Sequence, residues 1–551
     1  MEKRLLLAFI LMGAVLFLTP YFYKSQGPAP APAKPVPSAP AQVKPETQVA
    51  EPEPVIAPPS APAAAEKEST FILDTAVYRV VFSNRGGVVR SWQLKKYKDR
   101  AKKESLDLVN QAAVAKAGYP FQLIFPKQKP GVDLNRALFV ARPSADGLGV
   151  DYEFSDGKVV ARKSFRFTPG GYRSQFSSEV AENGKPIPHL LAWRGGFGDL
   201  TVSNAASNQH SVYFDAPSGK LEVNAAKVAR DGPATVSGNF AFAGVEDAYF
   251  AAVFLPVDSS ATLQTWSDSV PTPFSQGKEE AFVGAAVGGS GANRFSLFVG
   301  PKDIDVLRAV NPRLEQLVDF GWFAFLAKPL FLVVHWITEH FVHNYGWSIV
   351  VVTVLINFAL FPLKITSMKS MKKMQGLQPQ IQAINAKYKD VGIRDPRKQQ
   401  QNAEVMELYK KHGVNPMGGC VPMALQIPFF IAFYKVLSVS TEMRGAEWLW
   451  VTDLSRPEDM AIRILPLAMI VSQFIMQKMT PATSADPSQQ RMMMLMPLVF
   501  GFMFWSASSG LVLYWLTSNL VGIAQQMFFN RTSTAVQAVE SVQVKKKPGR
   551  K

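Results

Sequence analysis

A single cysteine, Cys420, in 551 residues excludes a disulfide framework within the chain and any zinc or iron-sulfur site built from several thiolates. Charge is scarce as well: Asp, Glu, Lys and Arg make up 19% of the residues, whereas soluble globular domains carry about 25%. No GxxxxGKS/T loop is present to hold a nucleotide, so any ATP would have to be used by a partner. The apolar stretches after residue 320 hold no Asp or Glu within their candidate spans, and coupled transporters usually build their ion relays from such intramembrane carboxylates. What is abundant is apolar sequence concentrated after residue 320, which excludes a wholly soluble protein. The formal charge of +16 fits either a membrane surface or nucleic acid, and its distribution has to decide.

Lys3 and Arg4 precede the apolar run Leu5 to Leu18, the order found in secretory signals and signal anchors. Prolines flank every small-residue cleavage candidate in the PAPAPAK stretch that follows, so residues 1–23 read as an uncleaved transmembrane anchor with its N-terminus inside. Residues 24–69 read as a Pro/Ala-rich tether. Residues 28–62 alone hold 12 of the 40 prolines, a composition that cannot bury a core.

From Phe71 to about Gly300 the pattern turns to short alternating runs, VYRVVFS, SFRFT and SVYF, between NRGG, PGG and PSGK turns. That predicts an exported all-β sandwich, assigned to residues 70–317. Gly288, Gly289, Ser290 and Gly291 nearly match a GxSxG nucleophile elbow, but the last glycine and the strand-to-helix context are missing. His189 and His210 have no ligand spacing around them and read as surface or satisfied core positions. Nothing in this domain announces catalysis.

Residues 318–344 are apolar and aromatic but broken by Lys328, Pro329, His335, Glu339, His340 and His343, which fits an amphipathic helix lying in the membrane interface. The His335 to His340 spacing is one residue too long for an inverted zincin motif, so no metal site is expected. A five-helix core is assigned to 345–530, with spans near 346–363, 417–438, 461–479, 492–506 and 509–529. Residues 364–412 carry 11 Lys or Arg against 4 Asp or Glu, and residues 439–460 carry 2 against 5. The first connection is therefore cytoplasmic, and both termini close on the same side. Within 364–412, Leu377, Ile381, Ile384 and Tyr388 form one apolar stripe of a helical hairpin, with a kink or restart expected at Pro379 and a new helix start at Asp395 and Pro396. Its basic residues either fix topology alone or also contact ribosome or substrate. The basic tail, 531–551, is open to the same two readings; Lys545, Lys546, Lys547, Arg550 and Lys551 are its candidate RNA contacts.

Polar residues inside the spans are the remaining signal, because an unsatisfied polar group in hydrocarbon costs several kcal/mol. Thr353, Asn357 and Lys364 fall within a sector of about 40° if they share one straight helix. Gln426 lies in the second span and Gln473 and Gln477 in the third, while Tyr514, Ser518 and Gln525 share a face of the last. Two readings stand: ordinary hydrogen bonding between helices, or a wet groove.

The runs NPMGGCVPMALQIPFFIAFYKVL, FPLKITSMKSMKKM, LQPQIQAI and SSGLVLYWLTSNLVGIAQQ resemble the YidC-type membrane protein insertases. FSNRGGVVRSWQLKKYKD and VDFGWFAFLAKPLF resemble the exported domain and amphipathic helix of the Gram-negative form, so the likeness covers the whole chain. It implies a periplasmic β-supersandwich of galactose-mutarotase type and a polytopic helical core in the inner membrane. A polar groove in that core would open to cytoplasm and lipid and pass nascent transmembrane segments into the bilayer. The same likeness implies no covalent chemistry and no cofactor. Its implied partners are nascent membrane proteins, the Sec translocon with its accessory subunits, the ribosome and membrane lipids, and a monomer is compatible with it. Gln426, Ile427, Phe430, Tyr514 and Trp515 match family positions that face substrate. One departure stands out: Asn357, four residues after Thr353, occupies the position of a family groove arginine, which leaves Lys364 to supply charge at the groove mouth.

Overall fold

The structure is a computed structural model that describes residues 63–99, 104–202, 205–257, 260–272, 277–388, 395–414, 421–480 and 487–545, the side chains of 398, 421–425, 487–493 and 533–545 excepted. The expected anchor at 1–23, most of the tether, and Lys546, Lys547, Arg550 and Lys551 lie outside the described residues. Lys545 is described by its backbone alone.

Alternation builds the first domain. In Val159–Phe167 the side chains of Ala161, Lys163, Phe165 and Phe167 are buried, while Arg162, Ser164 and Arg166 between them are half-exposed, the period-two pattern of a strand with one face on a core. Eighteen strands among the described residues form two antiparallel assemblies. Four strands from Thr70–Asp74 to Ser105–Asp107 make a small sheet, and fourteen make a large one. The strand Ala234–Glu246 ties the large assembly together. Its first half pairs with Ser260–Pro271 and its second half with Phe250–Pro256, so a single strand passes from one layer to the other. The core between the layers is aromatic: Trp92 stacks on Phe121 at 6.2 Å and Phe165 meets Phe176 at 4.7 Å.

Lys163 is the anomaly in this core. Its Nζ donates to the carbonyls of Gly86 (2.7 Å), Gly87 (3.2 Å) and Phe121 (2.7 Å), and burial pushes its ammonium down to about 7. Phe121 itself sits at φ 68, a conformation costly for a bulky residue, and the lysine holds its carbonyl there. The Gly288 to Gly291 segment is a turn between the strands Glu279–Gly288 and Ala292–Pro301, so Ser290 stands on no elbow. His189 is a satisfied core histidine: Nε2 lies 2.8 Å from Ser178 Oγ, Nδ1 lies 3.0 Å from the Ile187 carbonyl, and burial lowers its pKa to about 4. Residues 63–69, assigned to the tether from composition, are already fixed on the domain. Ala65 N donates to Leu138 O at 3.0 Å, and Glu68 pairs with Arg85 at 2.9 Å.

Helices dominate after residue 303. Asp303 caps α1 (Ile304–Val310) by accepting the amides of Asp305 and Val306. α2 (Ala324–Ile337) runs on through a π-helical turn, Thr338–Val342, and this 19-residue unit is the one described helix long and apolar enough by itself to cross a bilayer. α3 (Tyr345–Ala359) and α4 (Phe361–Gly376) reach that length only as a pair bent by 58°. The bend corrects the expectation that Thr353, Asn357 and Lys364 share one straight helix. Pro362, with no N–H to donate and a ring that disfavours helical geometry at Phe361, breaks the run.

The hairpin follows as α5 (Gln378–Lys387) and α6 (Arg397–Lys411). Pro379 stands in the first turn of α5, where the restart was expected, and Asp395 Oδ1 accepts the Arg397 amide at 2.9 Å. Leu377 and Ile381 pack with Met374 against Tyr409 and Val414. α7 (Val421–Val439), α8 (Ile464–Met479), α9 (Pro487–Phe504) and α10 (Ser509–Lys545) complete the fold. Large apolar side chains stand open on α3, α8 and α9: Phe358 is 60% exposed, Val471 58%, Val499 60% and Phe502 87%.

Candidate functional site

The polar residues of α3, α4, α7 and α10 converge. Thr353 is wholly buried, and its hydroxyl donates to the Ile349 carbonyl one turn back at 2.6 Å. Asn357, one turn further on, donates from Nδ2 to the Thr353 carbonyl (2.8 Å) and lies 3.4 Å from Ser518 Oγ on α10. The bend after α3 leaves late carbonyls of that helix without an intrahelical donor. Gln525 on α10 supplies one, donating to the Asn357 carbonyl at 3.1 Å. Lys364, although on α4, folds back across the bend and donates to Asn357 Oδ1 at 2.6 Å, with Gln525 Oε1 at 3.5 Å. Gln426 on α7 donates to Ser518 Oγ at 3.0 Å, one turn from Tyr514 on α10. Tyr514 in turn stacks on Phe433 at 4.5 Å.

An aromatic wall adjoins this network. Trp515 packs against Phe504 (5.0 Å), Phe430 (5.1 Å) and Phe500 (5.6 Å), and its Nε1 donates to Gln473 Oε1 at 3.4 Å. Ile427 lies half-buried on the same stretch of α7. Gln477 lies half-buried one turn beyond Gln473 on α8. Of the residues singled out from sequence, Asn357, Lys364, Gln426, Tyr514 and Ser518 meet in one cluster, Thr353 abuts it, and Phe430, Trp515 and Gln473 form the neighbouring wall.

Sequence reasoning missed the Phe433 stack and the buried pair Asn519 Nδ2 to Ser472 Oγ, 3.0 Å apart across the α8–α10 seam. Ser472 and Asn519 were visible as polar residues in apolar runs, but only the packing of the two helices pairs them.

The cluster's chemistry is narrow. Its groups are amides, hydroxyls and one ammonium, with no carboxylate, so it offers hydrogen bonds and positive potential but no general base. Among the described residues no group of three or more His, Cys, Asp or Glu could hold a metal ion. His335, on the polar side of α2, faces Glu339 (3.1 Å) and Asp305 (3.6 Å).

Two family models match the chain. Residues 71–333 match the family described as YidC periplasmic domain, and residues 336–536 match the one described as 60Kd inner membrane protein. Membrane protein insertase YidC of Geotalea daltonii is 34% identical over 97% of this chain and all of its own length, and that of Geobacter metallireducens is 35% identical over 98% and all of its own. A crystal structure of an active YidC insertase with its first transmembrane domain resolved aligns over 84% of this chain and 93% of its own, at 18% identity and a TM-score of 0.37.

Proposed function

The chain belongs to the YidC family of membrane protein insertases, and we propose that the polar cluster around Asn357 is the path by which it passes a nascent segment into the bilayer. The family's work is insertion of membrane proteins, in the inner membrane, with a periplasmic β domain. In our reading α3 with the start of α4, α7, α8, α9 and the first half of α10 cross that membrane, the hairpin and both termini lie in the cytoplasm, and α2 lies along the interface.

The energetics need no fuel. About 20 residues of Leu or Ile type, at roughly −0.3 to −0.6 kcal/mol each, favour a span by about 6 to 12 kcal/mol. The obstacle is kinetic, since each charge carried to the bilayer centre costs roughly 2.5 to 3.5 kcal/mol on the same scale. Thr353, Asn357, Gln426, Tyr514 and Ser518 would exchange hydrogen bonds with the substrate's polar flank while Lys364 contributes positive potential. Ile427, Phe430 and Trp515 would offer the apolar side on which the span leaves for lipid, and Gln473 and Gln477 would extend the polar lining along α8. No covalent step is required.

The observation that carries this reading is the convergence of Asn357, Lys364, Gln426 and Ser518 from four helices, α3, α4, α7 and α10. In a reconstituted assay, Thr353→Val with Asn357→Leu should slow insertion of a substrate with a short charged tail. Unchanged efficiency would refute the path. We propose further that the chain works alone or with the Sec translocon and assists folding of its substrates, and that the tail from Lys545 to Lys551 binds ribosomal RNA. Truncation after Arg531 should then weaken ribosome cosedimentation in a salt-dependent way.

A further inference from the structure

Four helices of the proposed path, α3, α7, α8 and α10, are tied to one connection, residues 440–463 between α7 and α8. At its start, Ser440 N donates to Val436 O and continues the end of α7. The Glu447 carbonyl accepts Asn344 Nδ2 at 2.9 Å at the entrance to α3, where Trp448 also packs edge-on against Trp347 at 5.5 Å. Glu458 Oε2 accepts the Leu465 amide at 2.8 Å in the first turn of α8. The carbonyls of Leu454 and Arg456 accept the amides of Gly510 and Ser509, which begin α10. One loop therefore sets the outer ends of the helices that carry Thr353 and Asn357, Gln426 and Phe430, Gln473, and Tyr514 to Ser518.

That loop is in turn anchored to the β domain by a buried charge. Arg444 is 5% and Asp199 0% exposed in their side chains, with Nη2 at 2.6 Å and Nε at 3.0 Å from Asp199 Oδ2. Arg444 Nη2 also donates to the Lys98 carbonyl (2.7 Å), its guanidinium lies 5.6 Å from the centre of the Phe250 ring, and Arg456 adds a second guanidinium at 3.5 Å from the same carboxylate. The β domain holds Asp199 in place on every other side. Oδ1 accepts the Thr201 amide at 2.9 Å, and the Asp199 amide donates to Asp247 Oδ2 at 2.6 Å. Asp247 is itself fixed by the amides of Tyr249 and Phe250. A buried pair of this kind contributes little net stability, because desolvation offsets the attraction, but it tolerates only one geometry. Its value lies in registration.

We infer that Asp199 and Arg444 are positioning residues for insertion: through this pair the β domain holds the 440–463 loop, and through the loop it keeps the four path helices in register. The inference rests on the proposed path. The two can fail separately, since the pair is read by a distance and the path by the Thr353 and Asn357 variant.

The test uses the full chain in proteoliposomes, with nitroxide labels at Ser237 on the β domain and Tyr434 on α7 in a Cys420→Ser background. Tryptophan fluorescence identifies the temperatures at which the β domain is intact, and both readouts are taken there. Arg444→Gln, and the doubly neutral Asp199→Asn with Arg444→Gln, should broaden the inter-label distance distribution and slow insertion by about threefold or more. Arg444→Lys, which keeps the charge, should restore part of both. Should Arg444→Gln alone fail to fold, the doubly neutral variant, which removes both charges of the pair and leaves Arg456 with Asp453, carries the test. Slower insertion together with a broadened distance supports the inference. An unchanged distance at any insertion rate, or wild-type insertion with a broadened distance, overturns it.

Discussion

Lys364 Nζ lies 2.6 Å from Asn357 Oδ1 although a 58° bend separates the two helices that carry them. The bend brings the ammonium back toward the cluster; on a straight continuation it would have been carried about 10 Å along the axis. A kink that would ordinarily weaken a helix here delivers an ammonium to the polar network.

Lys364→Gln keeps a donor within reach of Asn357 but removes the charge. Insertion of a substrate with an acidic flank should fall by about threefold or more, with a smaller change for a neutral flank. Paired substrates differing only in that flank, assayed in the same vesicles, measure the difference. Equal losses for both would mean that the ammonium acts by packing alone.

Lys163 gives a pH dependence with a definite sign. Its folded-state pKa of about 7 lies below the ordinary lysine value of 10.5, so between those limits the unfolded chain binds the proton and the folded domain does not. Stability of the β domain should therefore rise as pH increases from about 7 toward 10, by at most about 1.4 kcal/mol per unit from this one group. Urea titrations across that range on wild type and Lys163→Met check it. The variant should lose the slope and, with three carbonyls left without their donor, should also be less stable.

The aromatic core offers a calibration. Trp92 is fully buried between Tyr78, Phe121, Phe167 and Trp193. Trp92→Ala should cost about 3 to 5 kcal/mol of β-domain stability, read as a lower denaturation midpoint.

Gly346 opens α3 directly beneath Trp448, and a Cβ there would come within 2.3 Å of the indole. Gly346→Ala should displace that ring from the 440–463 loop and destabilise the helical region by about 1 to 3 kcal/mol. Thermal unfolding in detergent, with Trp448 fluorescence as a local probe, would detect it. An unshifted midpoint would show that the loop yields without strain.

Local patterning was enough for much of this protein. Period-two alternation and Gly-rich turns marked the β domain from Phe71 to Gly300, and strands run from Thr70 to Pro301. Pro379 and Asp395 marked where the hairpin helices begin, because a missing N–H and a carboxylate that accepts the Arg397 amide, one position ahead of the Pro396 cap, act within a turn of where they stand. The polar faces of α3 and α10 were legible for the same reason, since helical spacing alone sorts Thr353 with Asn357 and Tyr514 with Ser518.

Relations that depend on a partner distant in sequence were not legible. Composition assigned residues 63–69 to a tether, yet Ala65 and Glu68 find acceptors and donors that only the folded sheet presents. Spacing placed Lys364 on a straight stripe, while the bend at Pro362 and the closeness of Gln525 decided where its ammonium goes. Arg444 is one of two cations in residues 439–460, and nothing in the sequence links it to Asp199, 245 positions away. Sequence by itself determined which segments are strands, which are helices and which faces are polar, because those follow from backbone geometry and side-chain periodicity. Tertiary structure alone decided which polar groups satisfy one another, because a buried hydrogen bond or ion pair depends on distances of a few tenths of an ångström between elements whose separation along the chain carries no such information.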